Sequence, residues 1–172
     1  MDAVVYTTNT GYTRQYAVLA GKITGIPVYS VKEAENKLKK SSEIIYFGWI
    51  MADKVKGYKK ASKKYKIRAV CAVGMSATGS RTEAIGKANN IDHKFPLFTL
   101  QGGFDIKKLN GIYKIMINMF IKTAGKKLSE KKDRTADEEL MLDLMNKGGS
   151  RVSVNNMSEF FSWYDKQSKI KK

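Results

Sequence analysis

Thr8, Asn9, Thr10, Gly11, Tyr12 and Thr13 place three threonine hydroxyls, an amide and a glycine in six consecutive residues, directly after an apolar, β-branched run at 3–7. Such a loop suits a phosphate. If a helix starts at Tyr12, its unpaired N–H groups and its dipole point at the anion, the hydroxyls add donors, and Gly11 lets backbone approach closely. The same residues would serve an ordinary N-cap and turn; their place after a first buried strand favours the anion. No Gly-Lys-Ser/Thr follows, and the G-x-G-x-x-G glycines are missing, which argues against the usual ATP and dinucleotide loops. The other chemistry-bearing residues are few. His93 lies in a polar turn and is expected to be solvated rather than a base, and a Ser-His-Asp arrangement would have to use it. Cys71, the single cysteine, sits in an apolar run and reads as a buried structural thiol. One cysteine also excludes an internal disulfide, a CxxC pair and a multi-cysteine zinc site.

The elements that would position this loop alternate. Strands are expected at 3–7, 26–31, 43–48, 67–74 and 95–100, with helices at 12–22, 32–40, 52–66 and 82–89 between them. The third and fourth strands are nearly all apolar, as in a parallel sheet covered on both faces. Five such strands with long return connections predict a parallel α/β sheet with right-handed crossovers. In open sheets of this kind ligands bind at the carboxyl ends of the strands, so the loops after strands one, three and four carry the site. Beyond the fifth strand the pattern predicts a long helix at 105–122, a charged, solvated connection at 125–135, and a helix at 136–147 with a Thr135/Glu138 capping box and a Gly148-Gly149 stop. A short extended run at 151–154 and a last helix at 158–167 precede a basic tail at 168–172.

The 172 residues suffice for one domain with a sizeable core. Thirty-two Lys and Arg against 16 Asp and Glu give a net charge of +16, which favours an anionic partner: nucleic acid, an anionic membrane surface or an acidic protein. The densest basic run, from Lys54 to Arg68, is expected to be a solvated helix face that would also steer an acidic partner. Met1-Asp2 begins no signal-like segment, and the most apolar stretch, 112–121, is broken by Lys114 and Asn118, so a cytoplasmic chain without a membrane span is expected. One face on a sheet cannot bury all of 112–121. Either the added helix with Leu140, Met141, Leu142, Leu144 and Met145 covers the surplus, or it meets a second subunit, as in a homodimer, or an anionic membrane.

The hexapeptide T-x-T-G-x-T from Thr8 to Thr13, after a first strand in a five-strand α/β chain, resembles the flavodoxins, in order and spacing of elements over residues 2–100. That resemblance implies a flavodoxin-like three-layer sandwich, with a five-stranded parallel sheet in the order 2-1-3-4-5 and additional helices after strand five. It implies FMN, with the 5′-phosphate in the loop of Thr8, Asn9, Thr10, Gly11, Tyr12 and Thr13. Two further loops would hold the isoalloxazine ring. The first is Gly48-Trp49-Ile50-Met51, with Trp49 as the stacking aromatic. The second is Gly74-Met75-Ser76 through Gly79, which would offer backbone N–H groups to the polar edge of the ring. Flavodoxins usually place a second aromatic in that last loop, and here there is none.

Gly102-Gly103-Phe104-Asp105 with the Tyr- and Met-containing segment 111–117, together with the basic charge, is similar to flavodoxin-domain proteins related to the menaquinone-dependent protoporphyrinogen oxidases. On that resemblance the chain is a single domain with its core at 2–101 and 150–172 and a helical insertion at 102–149, the last strand resuming at 151–154. The expected function is FMN-dependent electron transfer, in its specific form a quinone- or porphyrinogen-linked oxidoreductase, with a quinone or an acidic redox protein as partner. Electron-carrier flavodoxins are typically acidic, so +16 points away from a plain ferredoxin substitute. The alternative is a basic α/β module that binds nucleic acid without redox activity. Against it stand the absence of a nucleic-acid motif and a charge spread over several helices instead of being matched to base-stacking aromatics.

Overall fold

Apolar side chains of the central strands alternate between two cores, one on each face of the sheet. β1 (Ala3–Thr7) gives Val4 to one and Ala3 and Val5 to the other. β3 (Glu43–Met51) divides Ile45 and Phe47 from Ile44 and Tyr46, and β5 (Lys66–Gly74) divides Ala69, Cys71 and Val73 from Val70 and Ala72. This period of two on strands buried on both sides is what makes them read as continuous apolar runs. The computed structural model describes residues 1–109 and 111–170.

The sheet order is β2 (Val28–Ser30), β1, β3, β5, β6 (Leu97–Gln101), every one of these pairings parallel. β4 (Lys54–Val55) pairs antiparallel with the end of β3 and lies off this path. The order is therefore the expected 2-1-3-4-5 with one short strand added. α1 (Tyr12–Thr24) and α8 (Ser158–Ile170) supply Tyr16, Ala17, Ala20 and Phe160 to the first core. α2 (Val31–Lys37), α3 (Tyr58–Ser62) and α4 (Thr82–Asn89) supply Ala34, Ala61 and Ile85 to the second. These are the three layers of an α/β sandwich. Cys71 is fully buried in the first core, where burial pushes its thiol well above the usual range.

Three expectations are corrected. The basic helix at 52–66 does not form: the chain reverses at Ala52 and Asp53, both at positive φ (48° and 58°), into β4, and only the five residues of α3 are helical. Two left-handed residues between antiparallel strands give the hairpin twist that a helix start cannot. The stretch at 105–122 is divided into a 3-10 turn at Ile106–Lys108 and α5 (Gly111–Phe120), with Asn110 outside the described residues. A π-turn at Ile121–Gly125 and α6 (Lys126–Glu130) prolong it into the region expected to be a connection. Finally, the strand expected at 151–154 does not form, and Val154 is already right-handed helical ahead of the 3-10 turn at Asn155–Met157; pairing occurs one step earlier, where β8 (Gly149–Ser150) meets β7 (Gly103–Phe104) in an antiparallel ribbon that joins the two ends of the helical segment between them. α7 (Ala136–Lys147) begins at the expected Thr135/Glu138 capping box and stops at Gly148. α8 carries the backbone through Ile170; Lys171 and Lys172 of the basic tail lie outside the described residues.

The Tyr16 hydroxyl ties the C-terminal segment back to the sheet. It donates to the Gln101 carbonyl and accepts from Asn156 Nδ2 at 2.7 Å and from the Ser153 N–H at 3.4 Å. Asn156 Nδ2 also donates to the Arg151 carbonyl at 2.9 Å. The carbonyl that a resumed strand would offer to a neighbour is thus taken by a side chain.

Candidate functional site

Because β1, β3, β5 and β6 run parallel, their carboxyl ends lie side by side: Thr7 opposite Gly48, Trp49 opposite Val73, Gly74 opposite Gln101. The three loops singled out from the sequence leave the sheet there and border one cavity of about 590 Å³. Its lining includes Asn9, Thr10, Tyr12 and Thr13 from the first loop, Trp49, Ile50 and Met51 from the second, and Gly74, Met75 and Ser76 from the third. That volume lies within the roughly 300–1,000 Å³ of small-molecule sites. Thr8, Gly11, Gly48 and Gly79 are not in the lining and act on the shape of the loops. Thr8 Oγ1 accepts from the Gly11 N–H at 3.0 Å. A Cβ on Gly48 would lie 2.9 Å from the Lys56 carbonyl, so only glycine lets the β3–β4 hairpin fold flat against β3. Gly79, at φ 81°, anchors its loop through its N–H to the Thr99 carbonyl at 3.0 Å.

The first loop retains free donors. α1 starts from Gly11 in a left-handed conformation (φ 93°) with no side-chain cap and no acidic residue in its first turn. Beside it, Asn9 Nδ2 is buried and has no hydrogen-bond partner. Buried side-chain donors are rarely left so, because the desolvation penalty of an unpaired amide is about 1–3 kcal/mol. An uncapped helix N-terminus, an unpaired amide and the Thr10 and Thr13 side chains together offer donors that could hold an anion such as a phosphate group.

The second wall is built differently from expectation. Trp49 is not the first residue of a loop but lies within β3, which continues to Met51 before turning back. The hairpin is held against α4 by Asn89, whose Oδ1 accepts from the Val55 N–H at 2.9 Å and whose Nδ2 donates to the Asp53 carbonyl at 2.7 Å. Arg81 at the start of α4 pairs with the Asp53 carboxylate at 2.9 Å. Tyr113 of α5 meets the Trp49 ring edge-to-face, with centroids 5.3 Å apart and planes at 83°, and Lys56 Nζ lies 5.8 Å and 5.9 Å from the two rings. α5 thus adds a second aromatic beside Trp49, on the wall of the second loop.

α7 also closes the third loop. Asp137 of α7 accepts from the Ala77 N–H at 2.5 Å, and Thr78 Oγ1 accepts from the Gln101 N–H at 3.0 Å. With the Gly79 N–H bound to Thr99, two of the N–H groups expected to face a ligand are engaged within the protein. Phe104, Tyr113, Ile117, Phe120 and Met141 complete an apolar wall that loop-by-loop reading missed. The signal was present in the surplus apolar residues of 112–121, though not their target. Tyr12 sits between the halves, with Lys108 Nζ 5.6 Å from its ring centroid; burial raises its phenol above the usual range and Lys108 opposes that rise. His93 is solvated, its side chain 83% exposed.

Tyr46 connects the first loop to the second. Its buried hydroxyl donates to the Lys56 carbonyl at 2.7 Å and is 2.8 Å from Thr7 Oγ1, and burial raises its pKa to about 12. Tyr46→Phe is expected to lower stability by about 1–3 kcal/mol by leaving these partners unpaired. Because the folded pKa is raised, the contribution of the phenol is complete below the unfolded value of about 10 and is lost as pH rises towards 12. Chemical denaturation between pH 8 and 11 checks this: wild type should lose stability more steeply above pH about 10 than Tyr46→Phe.

No protein-family model matches the chain, and no curated protein matches it.

Proposed function

We propose that this protein binds FMN at the carboxyl edge of the sheet and transfers electrons, as a flavodoxin-like redox protein. The observation that carries the reading is the unpaired, buried Asn9 amide beside the uncapped N-terminus of α1. It lies in the crevice between β1 and β3, where the chain connections leave in opposite directions and a sheet of this order takes a mononucleotide. Bound FMN would supply one- and two-electron chemistry, and the protein supplies binding, orientation and electrostatics.

Asn9, Thr10 and the first N–H groups of α1 hold the phosphate. Trp49 and Tyr113 give the ring an aromatic wall, and Lys56 sets a positive charge against that wall. The apolar residues of the insertion exclude water. The apolar side of the cavity and a charge of +16 favour a quinone or an acidic redox protein as the exchange partner. The oxidation of a porphyrinogen belongs to this reading as its more specific form.

The purified protein is expected to be yellow and to release FMN on denaturation. Titration of the apoprotein should quench flavin fluorescence with a stoichiometry of one. Neither quenching nor heat from a folded sample would sink the cofactor reading, and tight binding of DNA or RNA by that flavin-free sample would put the nucleic-acid module in its place.

A further inference from the structure

α5 has no buried residue although it is the most apolar helix of the chain. Ile112, Ile115, Met116, Met119 and Phe120 fall at spacings of 3, 4, 7 and 8, one continuous stripe, and are 67%, 67%, 44%, 60% and 42% exposed. The added helix does not cover them. Leu144 of α7 is fully buried, but Leu140 is itself 41% exposed, and the approach of Met145 is to Gly125, beyond the end of α5. The helix and its flanks are rich in positive charge: residues 106–129 contain six lysines and no Asp or Glu, and the bordering Asp105 and Glu130 pair with Lys108 and Lys126 alone. Lys107 and Lys108 precede the helix, Lys122, Lys126 and Lys127 follow it, and among the described residues Lys107, Lys114, Lys122 and Lys127 form no ion pair.

From this combination we infer that α5 docks the protein on an anionic lipid surface, lying in the plane of the headgroups with the stripe from Ile112 to Phe120 inserted. An apolar stripe flanked by lysines is what an interfacial helix requires, since the apolar residues enter the headgroup–acyl boundary while the lysine stems reach back to anionic headgroups. A second copy of the chain fits worse: a two-fold contact would set the four lysines without an ion pair, Lys107, Lys114, Lys122 and Lys127, against the same four of the partner, with no acid between residues 106 and 129 to offset them. Among the described residues no helix is long and apolar enough to cross a membrane, so the contact is with the surface. Met116, Met119 and Phe120 also line the cavity, which places its rim on the docking face. The inference goes beyond the cofactor reading and does not rest on it.

Co-sedimentation of the full chain with vesicles tests it, using phosphatidylcholine alone and phosphatidylcholine containing one third phosphatidylglycerol, with and without added FMN. Wild type is expected to bind the anionic vesicles and to bind less as salt shortens the Debye length below about 8 Å. The double variant Ile112→Glu, Ile115→Glu, at two stripe positions outside the cavity lining, should lose about tenfold or more of that binding. Both positions are solvent-exposed, so its circular dichroism and urea midpoint should match wild type. Undiminished binding by the variant, or no binding by wild type, overturns the inference. So does a wild-type dimer that the variant dissociates without any vesicle binding, or retention by an acidic protein with none by lipid. Vesicle binding without flavin quenching would sink the cofactor reading alone.

Discussion

Phe160→Ala is expected to lower the unfolding free energy by about 3–5 kcal/mol, a large part of the roughly 5–15 kcal/mol typical of a domain. Phe160 is fully buried. Its ring meets Phe47 of β3 and Phe98 of β6 edge-on, both at 5.8 Å between centroids, and Phe161 and Trp163 of its own helix at 5.1 Å and 6.1 Å. One side chain therefore fastens the C-terminal helix to two strands that are distant in sequence. Truncation would remove its transfer free energy and leave a cavity that rings fixed from both sides cannot close. Thermal unfolding should show the midpoint lowered by roughly 10–15 °C, and urea unfolding should show the same loss of stability with an unchanged m value. Glu159→Ala, at the exposed neighbour, should stay within about 0.5 kcal/mol. A Phe160→Ala cost as small as that control would mean that α8 is not docked as described.

The layered sheet was legible because its signals are local. Strands buried on both faces appear as apolar runs, and the Thr135/Glu138 box starts α7 where the sequence puts it. The failure at 52–66 is instructive in the opposite sense. Val55, Tyr58, Ala61 and Tyr65 do face one core, as their spacing suggested, yet Val55 lies in β4, Tyr58 and Ala61 in α3, and Tyr65 in neither. Periodicity reported burial, not conformation. The turn at Ala52-Asp53 lacks the Asn-Gly or Asp-Gly signature of such hairpins, and Gly57, left-handed at φ 81°, was the breaker that the helix pattern hid.

The same division runs through the candidate site. The first loop is a local feature and could be read from Thr8 to Thr13. Tyr113, Asp137 and Asn89 could not, because each acts on a loop 34 to 64 residues away in sequence, through the packing of helices whose positions no local pattern states. That packing changes the chemistry. With the Ala77 N–H held by Asp137, a ring in this cavity would meet fewer free backbone donors than the third loop alone suggests, and more aromatic and apolar surface. The helices after β7 are thus part of the cavity wall, and α5 among them also carries the exposed stripe.

Asn9→Ala and Thr10→Val are each expected to weaken FMN by about 1.5–3 kcal/mol, roughly ten- to hundredfold, while changing riboflavin by less than about twofold. The selectivity follows from geometry. Asn9 Nδ2 is a buried donor without a partner, next to a helix start with no side-chain cap, and a doubly charged phosphate is the part of FMN that riboflavin lacks. The amide already bears its desolvation penalty in the free protein, so its bond to the anion is gained almost without offset. Removing it should consequently cost binding without costing stability, and Asn9→Ala should be as stable as wild type or slightly more so. Isothermal titration of both ligands, with urea unfolding of the flavin-free proteins, separates these effects. Equal weakening of FMN and riboflavin would place the phosphate elsewhere. A large loss of stability in Asn9→Ala would show that the amide is satisfied within the protein, and the observation on which the cofactor reading rests would be gone.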